Sequence, residues 1–362
     1  MKAAVFHGQR DIRLAELATP EPADGELLLR IAAVGICGTD AGEYAHGPSM
    51  FPIEHRHPIT GHCGPMVPGH EFSGHVAAVG PNVNGFAEGD LVTSGAGISC
   101  GSCRQCRLGR NNLCERYATV GLQRNGGLAE FTTVPASACL NVERRPLTSD
   151  VAAMAQPMSI AVHALRRGRP ESGDEVVVLG AGGIGAFLIH AAAKHGARVT
   201  AIDLDAERLA IARRLGATET VQATRSEPLL DQLAALAAAP RIVYECTGVA
   251  SGIEAAVGTV ERGGRVVVVG LHKAPVPVNL TSVALQEKEL IGTLAHVFDA
   301  DFGLAVDLLE DETELWAQVA PTVIPLDDLV EIGLRPMIEG GAAPIKALLD
   351  PRLDAPRDIR TR

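Results

Sequence analysis

Aromatic side chains are scarce in this sequence: one Trp, three Tyr and eight Phe in 362 residues, 3% of the chain. Any core must therefore be aliphatic. Basic residues are also in deficit, 32 Lys and Arg against 43 Asp and Glu, for a net charge of −11. Affinity for nucleic acid is carried by clustered Lys and Arg, so this balance argues against a phosphate-tracking surface. The amino-terminal stretch MKAAVFHGQRDIRL has no apolar h-region and no small-residue cleavage site. No apolar run reaches the roughly 18 residues of a membrane span. A cytoplasmic, reducing compartment is the resulting expectation, with neither nucleic acid nor membrane as partner. In such a compartment clustered cysteines hold metal more often than they form disulfides.

What is present reads as globular: 46% hydrophobic, 21% charged, with 39 glycines. The length exceeds one ordinary core, which predicts two domains. Through residue 150 the chain runs in short strands broken by Gly and Pro: KAAVF, ELLLRIAAV, HVAAVG, DLVTSG and AEFTTVP. That pattern predicts an all-β, barrel-like unit. Between Gly42 and Gly69 a Pro- and His-rich stretch reads as an ordered loop over a site or as surface connection. From Asp174 the rhythm changes, with strand EVVVLG, a helix closed by Gly196, strand RVTAID, a helix ending at Gly216, then strands IVYECTG and GGRVVVVG. Alternating strand and helix predicts a doubly wound parallel sheet. LAALAAAP reads as an alanine-rich helix end. After about Leu294 the pattern turns irregular, and the chain is expected to return to its first unit. The expected domains are 1–156 completed by 296–362, and 157–295.

VVVLGAGGIG sets Gly180, Gly182 and Gly185 in GxGxxG spacing, after a predicted strand and at the mouth of a predicted helix. The first glycine permits a tight turn, the second admits a pyrophosphate to the backbone, and the third lets helix and strand pack. Asp203 closes the next strand, where an acid accepts hydrogen bonds from a ribose diol. It would repel a 2′-phosphate, and Leu204 beside it offers no cation, so NAD is expected over NADP. Arg208 either caps the adenine or faces water. The residues assigned to the cofactor are Gly180, Gly182, Gly183, Ile184, Gly185, Asp203, Arg208, Gly248 and Val269.

CGSCRQCRLGRNNLC packs Cys100, Cys103, Cys106 and Cys114 into fifteen residues. A disulfide knot, a redox pair, a nucleic-acid finger and an iron cluster all use close thiols. CxxC turns converge two thiolates on one point, which suits a closed tetrahedral zinc, and an iron cluster's usual last interval is shorter. A structural zinc lobe over 97–116 is the expectation. The remaining thiols Cys63, Cys139 and Cys246 read as small core residues.

GICGTD with Cys37, GHEFSG with His70 and Glu71, the cysteine lobe, VLGAGGIG and the Asp203 strand follow one another in an order that resembles the zinc-dependent medium-chain dehydrogenases. The stretch from Tyr44 to Gly74 is most similar to the 2,3-butanediol dehydrogenase branch, near the sorbitol and threonine dehydrogenases. The resemblance implies a GroES-like β-barrel catalytic domain beside a Rossmann domain, and a homodimer or homotetramer. It also implies a catalytic zinc held by Cys37 and His70, with Glu71 as ligand or alternate ligand, while Thr39 takes the substrate proton and hydride passes to NAD. Two positions depart from the branch: Gln156 stands where it has Glu, and Gly42 where it has a relay His. Gln156 is carried among the catalytic and metal residues with Cys37, His70 and Glu71. Counting Cys37 and Glu71 as the charges that neutralise zinc, Gln156 leaves the site one unit more positive, with looser metal. Tyr44, His46, His55 and His57 read as surface residues near the relay. The expected substrate is a secondary alcohol, a vicinal diol, acyloin or polyol. The alternatives are a cyclitol or amino-polyol in biosynthesis, and an NADH-binding sensor that has lost turnover.

Overall fold

The computed structural model describes residues 1–339 and 344–361. The chain divides into two compact units, Met1–Ser159 with His296–Arg362, and Ile160–Ala295. The first division falls inside the helix Ala155–Gly168 rather than in a linker.

In the discontinuous unit the strand Glu26–Ile36 organises the main sheet. Its sequence ELLLRIAAVGI is buried along almost its whole length. It pairs antiparallel with Glu71–Val79, from Leu27 opposite Val79 to Gly35 opposite Glu71. Ala347–Asp350 pairs along its carboxyl end, setting Ala347 against Ile36. This register brings the ends of three distant segments to one place. Leu27, Leu29, Ile31, Val34, Phe72 and Leu128 form the apolar core behind it. The carboxyl-terminal tail straps the unit: the fully buried Asp150 carboxylate accepts from both Arg357 Nη atoms, at 2.6 and 2.9 Å, and from Arg360 N at 2.8 Å.

The continuous unit holds a parallel six-stranded sheet in the order Glu219–Gln222, Arg198–Asp203, Glu175–Leu179, Ile242–Glu245, Arg265–Val268, Glu289–Gly292. The central strands read as continuous apolar runs because both faces are covered. Helices Gly183–Lys194 and Ala206–Arg214 end before Gly196 and Gly216, both in the left-handed region. One reading needs correction: the helix Leu229–Leu233 stops where LAALAAAP begins, and the alanines continue as turns. A five-residue helix started at Pro228 has too little length for alanine propensity to extend it before Pro240. No helix among the described residues is long and apolar enough to cross a membrane.

Candidate active site

Cys37 leaves the Glu26–Ile36 strand and caps the helix Gly38–His46. Its N–H donates to Asp40 Oδ2 at 3.0 Å, and its side chain accepts from the Asp40 backbone, a reciprocal capping box. The other Asp40 oxygen, Oδ1, stands 3.6 Å from His70 Nδ1. His70 directly precedes the strand that carries Glu71. The result is a cluster, buried at His70 and Glu71 and half-buried at Cys37, in which ligand atoms of the three lie within 4.8 Å of one another.

Glu71 is 1% exposed and pairs with Lys346, whose Nζ lies 3.0 and 2.8 Å from its two oxygens and donates to Ile36 O at 3.3 Å. Gly35, opposite Glu71 in the register, has no alternative here, because a Cβ would stand 2.3 Å from Glu71 Oε2. Burial alone would lower the His70 pKa, but Asp40 and Cys37 outweigh it and hold the imidazole well above its ordinary value. Burial likewise opposes the Lys346 charge, and Glu71, then Cys37 and Asp40, raise its pKa above the usual ammonium range. These directions mark a pocket of negative potential.

The donor set fits zinc: a thiol, an imidazole and a carboxylate, converging, with the imidazole and carboxylate buried and the thiol half-buried. His70 Nδ1, Asp40 Oδ1 and the Oε1 of Gln156 are buried without a hydrogen-bond partner. Gln156 is the second residue of helix Ala155–Gly168 and is 5% exposed. Counting Cys37 and Glu71 alone against a divalent ion misses two buried charges. A Cys37 thiolate, Asp40 and Glu71 together oppose zinc and Lys346, so the assembly is neutral with Gln156 and carries one excess negative charge with Glu.

Thr39 is half-buried in the first turn of the helix, and Gly42 follows one turn on. A Cβ at Gly42 would meet nothing within 4 Å. Tyr44 is not a surface residue; it is 6% exposed and packs in the core. His46 and His55 are exposed, whereas His57 Nδ1 accepts from Thr60 N at 3.2 Å and pins its loop. Cys63 is exposed rather than core, on a loop whose sequence has no period to report burial. Cys139 is buried, with its thiol pushed up to about 12 by burial; Cys246 is half-buried, its thiol also raised by burial. Asp40 and Lys346 escaped the sequence reading. The CxxD capping spacing is a signal for Asp40, whereas Lys346 carries none, since Lys is rarely buried. Glu43 was also missed; its carboxylate accepts from the backbone of Ser49, Met50 and Phe51, holding that loop to the helix.

The four-cysteine segment forms a small lobe whose sulfurs all lie within 4.8 Å of one another, Cys103 being 3.6 Å from Cys106 and 3.9 Å from Cys114. Sulfurs bonded at about 2.3 Å around a tetrahedral centre lie about 3.8 Å apart. The Ser102 backbone and hydroxyl and the Cys103 N–H, all aimed at the Cys100 sulfur, draw its thiol down to about 6, whereas burial and the neighbouring thiols push Cys106 up to about 11. Both groups of residues therefore suit zinc.

In the other unit, Gly182 caps the helix Gly183–Lys194, with Ile184 in its first turn. A Cβ on Gly185 would lie 1.8 Å from Gly180 O, the close helix–strand packing its place in the motif demands. Asp203 ends its strand and accepts from Ala181 N at 2.7 Å and Asp205 N at 3.0 Å, tying itself to the glycine loop. The Arg208 guanidinium lies over Gly182, where a Cβ would be 2.9 Å from Nη1. Gly248 and Val269 follow the next two strands of the sheet.

Residues 23–144 match the alcohol dehydrogenase GroES-like domain, and residues 183–311 match the zinc-binding dehydrogenase family. Sorbitol dehydrogenase of Rattus norvegicus is 32% identical, over 92% of this chain and 94% of its own. The crystal structure of 2R,3R-butanediol dehydrogenase from Bacillus subtilis superposes with a TM-score of 0.87 at 27% identity, covering 97% of this chain and 99% of that one. A cobalt- and zinc-bound alcohol dehydrogenase from Pyrobaculum aerophilum gives 0.82 at 29% identity, covering 97% and 99%. With both units matched and relatives spanning nearly its whole length, the chain belongs to the zinc-binding alcohol dehydrogenase family.

Proposed function

We propose that this chain is an NAD-dependent, zinc-containing dehydrogenase that oxidises secondary alcohols, with a vicinal diol, acyloin or polyol as substrate. The observation that carries the reading is the convergence of Cys37, His70 and Glu71, backed by the buried Asp40 and Lys346. When bound, zinc supplies Lewis acidity at the substrate oxygen and NAD supplies the acceptor for the carbinol hydride. Cys37 and His70 would hold the metal, His70 through Nε2, the nitrogen not turned to Asp40. Asp40 orients that ring and strengthens it as a donor. Gln156 would add a neutral oxygen, supported by the burial and missing partner of Oε1. Cys100, Cys103, Cys106 and Cys114 would hold a second zinc that folds their lobe.

The Thr39 hydroxyl takes the proton released from substrate. Gly42 carries no side chain onward, so the proton leaves to water. The departures at Gln156 and Gly42 support a second reading, in which the substrate is a cyclitol or amino-polyol. Asp203 would accept from the adenosine ribose, and the glycine loop would take the pyrophosphate at the helix terminus.

Glu289–Gly292 is an edge strand of the sheet, with Leu290 on it 39% exposed and Leu294 just beyond it 51% exposed. An open edge with apolar surroundings supports pairing with a second copy, in a homodimer or homotetramer. Four thiols held for metal suit a reducing cytoplasm. The test is metal analysis of purified protein together with NADH formation from NAD over a panel of secondary alcohols and polyols. Two zinc ions per chain and turnover of a diol or polyol are expected; no turnover by the metal-loaded protein overturns the enzymatic reading.

A further inference from the structure

This inference rests on the dinucleotide reading above. Strand order in the parallel sheet reverses between Glu175–Leu179, whose other neighbour is Arg198–Asp203, and Ile242–Glu245. Open sheets of this kind bind ligands at that reversal, beyond the carboxyl ends of the strands, with one mononucleotide on each half. The glycine loop and Asp203 belong to the adenosine half. The loops after Ile242–Glu245 and Arg265–Val268 therefore serve the other half, and they contain Gly248 and Val269.

One residue joins these two loops. Glu245 ends its strand fully buried. Its Oε1 accepts from Thr247 N at 2.8 Å, from Gly248 N at 3.0 Å and from the Thr247 hydroxyl. Its backbone oxygen accepts from Val269 N and Gly270 N, both at 2.8 Å. Its Oε2 lies 3.2 Å from His272 Nε2. A carboxylate only accepts, so Nε2 carries the hydrogen. The loops lie backbone to backbone: a Cβ on Gly270 would be 2.3 Å from Gly248 N, and one on Gly248 2.8 Å from Leu271 O. Thr247 in turn packs on the glycine loop, its Cγ2 standing 3.1 Å from where a Gly180 Cβ would be.

We propose that His272 is a positioning residue for the nicotinamide half of the cofactor, fixing through Glu245 the spacing of the 246–249 and 269–272 loops. Without the imidazole, Oε2 of a buried carboxylate loses that donor, and the second loop keeps only its backbone hold on the first. The adenosine half, anchored through Asp203 and Ala181, has no part in this contact.

The experiment compares the full zinc-loaded chain with His272→Ala and His272→Gln, measuring dissociation constants for NADH and for ADP, which lacks the nicotinamide nucleoside. Losing the donor to a buried carboxylate should weaken NADH about tenfold in His272→Ala. ADP affinity should stay within a factor of about two, and His272→Gln, which keeps an N–H donor, should recover most of the NADH affinity. Equal weakening of NADH and ADP, unchanged NADH binding in His272→Ala, or a glutamine variant as weak as the alanine one overturns the proposal. Should alanine prevent folding, His272→Leu, which keeps bulk but has no donor, takes its place with the same expected and overturning results. Wild-type protein that binds neither NADH nor ADP overturns the cofactor reading itself, and this inference with it.

Discussion

Lys346 and Glu71, 275 positions apart, form an ion pair that is 4% and 1% exposed at its two side chains, with Nζ 2.8 Å from Oε2. Removing one member of a buried pair leaves an uncompensated charge and costs about 3–5 kcal/mol. Lys346→Met should lower unfolding free energy by that order in denaturant titration. Lys346→Met with Glu71→Gln should recover part of the loss. Additive losses in the double variant would mean that the two side chains do not depend on each other.

Asp40→Asn keeps an oxygen for the Cys37 N–H but removes the charge facing His70. Partners behind a metal-ligating histidine are worth about 10–100-fold in metal affinity. Competition with a chromophoric chelator should show zinc held in that range more weakly at the catalytic site, while the four-cysteine site is unmoved.

Gln156→Glu adds a carboxylate to a neutral buried assembly. Zinc should dissociate more slowly, and the pH dependence of alcohol oxidation should shift, because the extra negative charge opposes loss of the substrate proton. Metal content and pH profile both equal to wild type would place Gln156 away from the metal.

Gly42→His enters open space on a helix, where glycine is the poorer residue by a few tenths of a kcal/mol. The variant should match or slightly exceed wild-type stability. If proton escape from Thr39 limits turnover, kcat near neutral pH should rise about tenfold or more, within the usual reach of a positioned acid–base group. An unchanged kcat with normal folding would show that water already suffices.

Cys103→Ser removes one thiolate from the lobe. One zinc per chain should be lost, and limited proteolysis should cut first within residues 97–116. Intact metal stoichiometry would overturn the lobe assignment.

What was legible in the sequence is what is written locally. Gly180, Gly182 and Gly185 sit within six residues and the four lobe cysteines within fifteen, so spacing alone announces them. Strand and helix periods carried the alternation that builds the parallel sheet. Lys346, the Asp150–Arg357 pair and the Glu245–His272 contact were invisible, because a pairing across 27 to 275 positions leaves no period in either partner's neighbourhood. Cys63 and Tyr44 were misplaced for a related reason. In the Pro- and His-rich stretch and the helix before it, too few periodic neighbours exist to say which way one side chain faces.

The tail that reaches Asp150 also has a consequence for how the protein is made. Residues 160–295 are contiguous and can complete their sheet once they have emerged from the ribosome, as domains generally fold in order of synthesis. The metal-ligand unit cannot finish then. Its Glu26–Ile36 strand lacks a neighbour until Ala347–Asp350 arrives, Glu71 lacks its ammonium until Lys346 does, and Asp150 waits for Arg357. A nascent chain thus holds a half-built ligand cluster through most of translation, and trimming its last few residues would leave the buried Asp150 carboxylate without its guanidinium partner.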